Sequence, residues 1–148
     1  MLKKHIKKKF NYSSDQILDL VLKIDDYKNF LPWCSDSKIL SRESKGDCDT
    51  ILADLTIGYK FLKDTYQSKI LYDKSINEIK VESVKGPLKK LENIWKINSI
   101  DSKNCEVDFY INLEFKNFLF NRMLSKIFDL AFDKIFTSFE DRAKKIYG

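Results

Sequence analysis

The C-terminal segment places the strongest constraint on how this chain can fold. Residues 117–147 contain neither proline nor glycine, so the sequence predicts one uninterrupted helix of roughly eight turns at 3.6 residues per turn. Apolar side chains recur along it at the spacing of one helical face. They form a stripe with further apolar residues beside it: Leu124, Ile127, Phe128, Ala131, Ile135 and Phe139, widened by Leu130, Phe132 and Phe136. A helix with so broad an apolar face has to pack against another layer.

The preceding part of the chain predicts that this layer is a β-sheet. From about Ser37 onward apolar residues alternate with polar ones, which is the period of a half-buried strand. The alternation runs through about six segments separated by short turns, such as Lys45–Asp47, Asp73–Ser75 and Gly86–Pro87. Strands joined by such tight turns pair in antiparallel fashion. An antiparallel sheet buries one of its faces, and the last helix is its obvious cover.

The N-terminal part adds one strand and two helices. The segment Leu2–Asn11 predicts a strand. Ser13 or Ser14 can cap the helix that follows, and Asp15 lies in its positively polarised first turn. A second short helix is predicted over Asp25–Leu31, where Pro32 ends it.

Together these elements predict an α+β fold. A curved antiparallel sheet of about seven strands wraps around the long C-terminal helix, and two short helices follow the first strand. The length of 148 residues fits one core, so we expect a single domain over residues 1–148. A sheet wrapped around one helix encloses a cleft, and clefts of that shape hold small molecules.

Composition argues against several classes of protein. Cys34, Cys48 and Cys105 are widely spaced and the chain has one histidine, so we expect reduced thiols and no metal site. The sequence contains no run of 18 apolar residues that could span a membrane. Its basic N-terminus lacks the apolar stretch of a secretory signal. We therefore expect a cytoplasmic protein that can also sit peripherally at the inner membrane.

Four stretches of the chain resemble one known family. Each stretch is a weak signal alone, but their order and spacing along the chain are those of the family. They are Tyr27–Cys34 (YKNFLPWC) followed by Ser37, Ala53–Lys60 (ADLTIGYK), Gly86–Leu91 (GPLKKL) followed by Trp95, and Leu113–Asn117 (LEFKN) with Phe139–Ala143 (FEDRA) and the ending Tyr147-Gly148.

This pattern resembles the coenzyme Q-binding and ribosome association toxin (RatA) family of the polyketide cyclase/START-like superfamily, also called SRPBCC. The resemblance covers nearly the whole chain and departs at Asn93, where glycine is expected, and at Leu88, where phenylalanine is expected. It implies a helix-grip fold and an apolar ligand, with ubiquinone favoured and no other cofactor. It also implies one of two roles: delivering or chaperoning the quinone for respiration, or binding the large ribosomal subunit and blocking subunit joining.

We expect the ligand pocket to lie between the sheet and the last helix. Its predicted lining combines residues of the strands, the helix stripe and the loop after the second helix: Leu31, Trp33, Leu55, Ile57, Tyr59, Tyr66, Trp95, Phe109, Phe115, Leu124, Phe128, Ala131 and Ile135. A gate or membrane contact is predicted where amphipathic or apolar residues flank the entrance: Pro32, Trp33, Phe118, Leu119 and Phe120. Ordinary core packing is the alternative interpretation for all of these residues.

Lysines crowd the first strand, at Lys3, Lys4, Lys7, Lys8 and Lys9. They can be a solvated strand edge, because lysine protects sheet edges from aggregation. They can also form an anion-binding patch for lipid headgroups or ribosomal RNA phosphates. The formal net charge of +5 favours anionic partners only weakly.

The residues predict a binding protein rather than an enzyme. The chain carries no Ser-His-Asp set, phosphate loop, dinucleotide loop or defensible carboxylate pair. Cys34 has no basic neighbour in sequence, and Glu140–Arg142 read as a charged helix surface. The expected partner is a hydrophobic small molecule or lipid, with a membrane surface or the large ribosomal subunit as further candidates. An oligomeric state is not indicated by any feature of the sequence.

Overall fold

The computed structural model describes residues 2–59 and 62–148, apart from the side chain of Leu62. Seven strands and three helices follow one another along the chain. They are β1 (Leu2–Phe10), α1 (Ser14–Leu22), α2 (Tyr27–Phe30), β2 (Cys34–Lys45), β3 (Cys48–Tyr59), β4 (Leu62–Asp73), β5 (Glu78–Lys85), β6 (Leu88–Asp101), β7 (Asn104–Phe115) and α3 (Phe118–Tyr147), with a 3-10 turn at Ile24–Asp26 before α2.

The strands form one antiparallel sheet in the order β1-β7-β6-β5-β4-β3-β2. Each strand from β2 to β7 pairs with its neighbour in sequence, while β1 closes the sheet against β7. The helix α3 packs against one face of this sheet. The predicted α+β architecture is therefore confirmed, including the long final helix and the two short helices.

The helix ends lie where the capping residues predict. Ser13 caps α1 through a capping box, in which its hydroxyl accepts a hydrogen bond from Gln16 N and its own N–H donates to Gln16 Oε1. At the far end of α3 the Tyr147 hydroxyl donates to the Gln16 carbonyl over 3.1 Å. This contact fastens the last turn of α3 to the first helix, 131 residues away in sequence.

Two expectations need correction. Strand β2 starts at Cys34 rather than near Ser37, because Cys34 pairs with Ile57 and the Gly58 amide donates to the Trp33 carbonyl over 2.9 Å. Leu130 does not widen the buried face of α3 but is 56% exposed. It follows Asp129 on the helix side that faces water, whereas Phe132 and Phe136 are buried.

A charged cluster holds one end of the sheet. The Asp49 carboxylate is buried at the start of β3 and lies 2.8 Å from Arg42 Nη2 and 3.3 Å from Lys74 Nζ. The hydrogen bond from Arg42 is the main reason that the pKa of Asp49 falls from 3.8 to about 2. The carboxylate thus links strand β2 to the β4–β5 turn.

We expect Asp49→Asn to lower the free energy of unfolding by about 1–2 kcal/mol at pH 7, because two cations lose their charged partner but keep access to water. The native contribution is complete above the unfolded-state pKa of about 3.9. It is lost as the pH falls through the folded value of about 2. Urea unfolding of both proteins should therefore give curves that converge in acid.

The control is Asp47→Asn, which changes an exposed carboxyl two residues away. It should stay within about 0.5 kcal/mol of the wild type. A stability difference for Asp49→Asn that persists unchanged below pH 2 contradicts the ion-pair account.

Candidate functional site

A cavity of about 270 Å³ lies between α3 and the buried face of the sheet. Its wall is contributed by strands β2 to β7, by α1 and α2 with the loop after them, and by α3. The helix presents Leu124, Ile127, Ala131 and Ile135 to it, which are spaced along one helical face. The volume lies just below the usual range of small-molecule pockets, about 300–1,000 Å³.

The structure brings nearly all of the predicted pocket residues into this wall. They are Leu31, Trp33, Leu55, Ile57, Tyr59, Tyr66, Trp95, Phe109, Phe115, Leu124, Ala131 and Ile135. Phe128 is buried but does not line the cavity. It lies about 100° around the helix from Ile127, at 3.6 residues per turn, and packs edge-on against Phe132, with ring centroids 4.9 Å apart.

The cavity extends to one end of the sheet, which we call the mouth end and define as Pro32–Trp33, Gly58–Tyr59, Gly86–Leu88 and Phe115–Phe120. These four segments meet because β2 and β6 begin there, β3 and β7 end there, and α3 starts there. The Lys116 amide joins two of them by donating to the Pro87 carbonyl over 2.8 Å.

Two backbone features shape the mouth end. Trp33 has a φ of +62°, a conformation that costs energy for a bulky residue and that is held by the Gly58 amide on its carbonyl. Gly86 has a φ of +126° and packs so closely on β4 that a Cβ would lie 2.8 Å from Tyr66 Cα. Only glycine fits there, which explains physically why the GPLKKL stretch begins with that residue.

The entrance to α3 is fixed by two asparagines. Asn117 caps the helix by accepting hydrogen bonds from the amides of Leu119 and Phe120. Asn121 reaches back and bonds both the amide and the carbonyl of Phe115, at 2.7 and 2.8 Å. The rings of Phe115 and Phe120 stack with centroids 4.2 Å apart and line the cavity.

The predicted gate residues therefore divide into two groups. Pro32, Trp33 and Phe120 line the cavity. Phe118 and Leu119 point away from it and are 71% and 67% exposed.

Several polar groups face the cavity, and they differ in what they bond to. Tyr66 and Ser68 project from the same face of β4, and neither hydroxyl bonds to any residue that the structure describes. The Tyr27 hydroxyl, in contrast, donates to the Val21 carbonyl. Burial raises the pKa of Tyr66 to about 12 and also raises the pKa of Tyr27.

Asn93 organises the cavity wall around Trp95. Its amide group donates to the Tyr110 carbonyl over 2.8 Å, and its Oδ1 accepts from Trp95 Nε1 over 2.9 Å. The sequence singled out Asn93 only as a departure from an expected glycine. Its place two residues before Trp95, on the same strand face, is the signal that could have identified this role.

The cavity wall, as far as the structure describes it, contains no side chain that is charged at neutral pH. Its ionisable members are tyrosines and Cys34. Burial raises the pKa of the Cys34 thiol, whose sulfur lies 3.4 Å from the Asp36 carbonyl. A buried thiol of this kind is a weak nucleophile.

The sequence analysis did not identify Ser68 as a pocket residue, although Ser68 shares a strand face with the predicted Tyr66.

The predicted five-lysine patch is split by the pleat of β1. Lys3, Lys7 and Lys9 are exposed on one face. Lys4 and Lys8 lie on the other face and pair with acids of α3: Lys4 with Asp129 at 2.7 Å and Lys8 with Glu140 at 2.5 Å. A single patch of five lysines is therefore wrong, and three of them remain as an exposed strip.

Two kinds of feature are absent from the described residues. No group of three or more histidine, cysteine, aspartate or glutamate side chains is placed to hold a metal ion. No helix among these residues is both long and apolar enough to cross a bilayer.

Comparison with known sequences gives two similar relatives. The ribosome association toxin RatA of Rickettsia prowazekii is 28% identical over 138 residues, which cover 91% of each chain. The mitochondrial coenzyme Q-binding protein COQ10 of Dictyostelium discoideum is 30% identical over 147 residues, which cover 98% of this chain and 70% of that protein.

Comparison with solved structures gives the same architecture. An 18 kDa protein from Caulobacter crescentus superposes with a TM-score of 0.81 at 30% identity, covering 100% of this chain and 99% of its own. The aromatase/cyclase Zhui from Streptomyces has a TM-score of 0.75 at 11% identity, covering 97% of this chain and 95% of its own. The second likeness shows a shared fold alone.

A family model described as polyketide cyclase / dehydrase and lipid transport matches residues 10–140. The cavity between sheet and helix, the glycine that packs on Tyr66 and the two relatives agree with that match. The family assignment made from the four motifs is confirmed: this chain belongs to the polyketide cyclase / dehydrase and lipid transport family, in the branch that contains the RatA and COQ10 proteins.

Proposed function

We propose that this chain binds a neutral hydrophobic ligand, with ubiquinone favoured, and chaperones or delivers it in support of respiration. The proposal covers residues 1–148 as one binding domain, with the quinone as bound ligand and no other cofactor. The observation that carries it is the described part of the cavity wall, which is apolar and uncharged apart from a few hydroxyl, thiol and amide groups.

The free hydroxyls match the chemistry of a quinone headgroup. A quinone ring carries carbonyl and methoxy oxygens, which accept hydrogen bonds and donate none. Tyr66 and Ser68 each offer a donor that no described residue uses. Each such bond would contribute about 1 kcal/mol, and burial of the ring and of the part of the isoprenoid tail that the cavity holds would add about 25 cal/mol per Å².

The absence of charge from the described wall favours a neutral ligand over an anionic lipid. A fatty-acid carboxylate or a phospholipid phosphate would meet no cationic partner among the described wall residues. Burying an unpaired charge costs several kcal/mol. A quinone carries no such penalty.

The same chemistry favours binding over catalysis. Tyr66, with a pKa of about 12, stays protonated at pH 7, and burial likewise keeps the Cys34 thiol protonated. Proton transfer needs a group whose pKa lies near the working pH, and the described wall offers none of that kind. The name of one relative points in the same direction, since it is called a coenzyme Q-binding protein.

A second candidate function is association with the large ribosomal subunit. The relative from Rickettsia prowazekii is named for ribosome association. The exposed strip of Lys3, Lys7 and Lys9 supports it, because lysines on a strand edge can follow a phosphate backbone.

The two free hydroxyls provide the first test. We expect the double variant Tyr66→Phe, Ser68→Ala to bind a short-chain ubiquinone about 30-fold more weakly, because two headgroup hydrogen bonds of about 1 kcal/mol each are lost. Binding of squalene, which lacks carbonyl oxygens, should be unchanged. The measurement is a titration of each ligand in detergent, followed by tryptophan fluorescence.

Tyr27→Phe is the matched control, because that hydroxyl is already bonded to the Val21 carbonyl. It should lower stability by about 1 kcal/mol and leave the preference for quinone over squalene intact. Equal loss of both ligands in the double variant argues against a headgroup role for the hydroxyls.

Filling the cavity provides the second test. Ala131 is buried and lines the cavity from α3, so Ala131→Phe should occupy the ligand's space and weaken quinone binding by at least about tenfold. Quenching of Trp95 in a Trp33→Phe background reports the occupied cavity directly, since Trp95 and Trp33 are the two tryptophans of the chain.

The control is Leu130→Phe, which adds a ring at the adjacent but exposed position. It should bind quinone like the wild type. Undiminished quenching in folded Ala131→Phe would falsify this cavity as the binding site.

The ribosomal candidate has its own test, in which the two faces of β1 are compared. Replacing Lys3, Lys7 and Lys9 by glutamine should abolish co-sedimentation with the large subunit at low salt, and rising salt should do the same to the wild type. Replacing Lys4 and Lys8 should have little effect, because these two lysines lie on the other face of β1 and pair with acids of α3. Absence of wild-type co-sedimentation at low salt eliminates this candidate.

A further inference from the structure

We propose that the mouth end docks on the surface of an anionic lipid bilayer, with Phe118 and Leu119 inserted between the headgroups. The docking itself needs no ligand. Only its consequence, that ligand passes between cavity and membrane at this contact, rests on the function proposed above.

The two apolar side chains are the most exposed of the large hydrophobic residues that the structure describes. Phe118 is 71% and Leu119 is 67% exposed, whereas Leu130, the next, is 56% exposed. They are adjacent in sequence and lie in the first turn of α3. An aromatic and an aliphatic side chain placed together at one tip suit insertion at the depth of the lipid headgroups.

The tip is held rigidly, so insertion would cost little ordering entropy. Asn117 caps the helix at Leu119 and Phe120, and Asn121 bonds the backbone of Phe115 on both its amide and its carbonyl. Beneath the tip, Phe120 stacks on Phe115 in the cavity wall. The inserted residues are thus directly attached to the pocket lining.

Charge is distributed unevenly between the two ends of the sheet. Three segments that flank the exposed tip at the mouth end (residues 62–65, 84–92 and 112–122) carry six basic and three acidic residues. The turns at the opposite end (residues 42–50, 71–78 and 99–106) carry four basic and seven acidic residues. The net charge of +5 is therefore unevenly distributed, and the basic residues concentrate at the end of the sheet where Phe118 and Leu119 are exposed.

The basic residues around the tip are also unpaired. No described acid forms an ion pair with the members of this set, which are Lys63, Lys85, Lys89, Lys90, Lys116 and Arg122. Unpaired lysines beside an apolar tip are complementary to an anionic membrane surface, where each contributes about a fivefold gain in binding. A phosphate backbone alone would attract the lysines but offer no apolar phase for Phe118 and Leu119.

The volume of the cavity indicates why contact with a bilayer would help the protein to exchange its ligand. A space of about 270 Å³ is too small for a long isoprenoid tail in addition to a quinone ring. With the mouth end on the bilayer, the remainder of the tail can stay in the lipid while the ring occupies the cavity. The protein then need not expose the tail to water during exchange.

The experiment is co-sedimentation of the ligand-free protein with vesicles of phosphatidylcholine alone or mixed with phosphatidylglycerol. We expect binding to the mixed vesicles at low salt and a strong loss with phosphatidylcholine alone. Phe118→Ser with Leu119→Ser should weaken binding about 100-fold, since two apolar side chains no longer leave water. Lys89→Gln with Lys116→Gln should weaken it about 30-fold.

Each variant has a matched control on α3. Leu130→Ser removes an exposed apolar side chain away from the tip, and Lys144→Gln with Lys145→Gln removes two exposed lysines at the far end of the helix. Both controls should bind like the wild type. Circular dichroism melting of every variant separates loss of docking from loss of fold.

Three results overturn the proposal: no wild-type binding to anionic vesicles, equal losses in the tip variants and their controls, or unchanged vesicle binding when both lysines are neutralised. If Lys89→Gln with Lys116→Gln instead removes binding to the large ribosomal subunit only, the mouth end is a ribosome surface. Because no quinone is present, failure here leaves the cavity's own function untouched, and failure of quinone binding leaves the docking result standing.

Discussion

The contact between α3 and the sheet is the interaction on which the rest of the structure depends. It is made at two aromatic clusters. At one, Trp95, Phe109 and Phe136 meet edge-on or tilted, with ring centroids 4.7 to 5.8 Å apart. At the other, Phe115 stacks on Phe120. Between them the helix presents residues that include the small Ala131, and a cavity is left. Packed interiors normally leave few voids larger than a water molecule, so an apolar space of this size is consistent with a binding role.

The polar groups in the wall show how such a cavity can be selective without charge. Asn93 satisfies Trp95 and the backbone of β7, and Tyr27 satisfies the end of α1. The hydrogen-bonding groups of Asn93 and Tyr27 are therefore used within the fold. Tyr66 and Ser68 differ because their hydroxyls are unused within the described residues. A ligand oxygen can accept a hydrogen bond from either hydroxyl without displacing a described protein partner. The distinction between satisfied and unsatisfied groups identifies the part of the wall that can recognise a headgroup.

Much of the site could be predicted because periodicity places side chains on faces. The alternation of β3 and β7 assigned Leu55, Ile57 and Phe109 to the inside of the sheet, and the helical period did the same for Leu124 and Ala131. Predictions failed where contacts with another helix or strand, or with another residue of the same helix, decide whether a side chain lines the cavity or is exposed. Phe128 was assigned to the pocket from its place in the stripe, but Phe132 takes it as a packing partner. The five lysines of β1 read as one patch, yet two of them meet acids on α3.

The sequence by itself determined the order of the elements, the position of the cap of α1, the family and the inward faces of strands such as β3 and β7. These features depend on local spacing and on the backbone preferences of single residues, such as the glycine at position 86. Only the tertiary structure decided which inward residues border empty space, which hydroxyls lack partners, and that basic residues gather beside Phe118 and Leu119. Those properties arise from residues far apart in the chain, because a strand pairing or a helix contact brings together segments that share no local pattern.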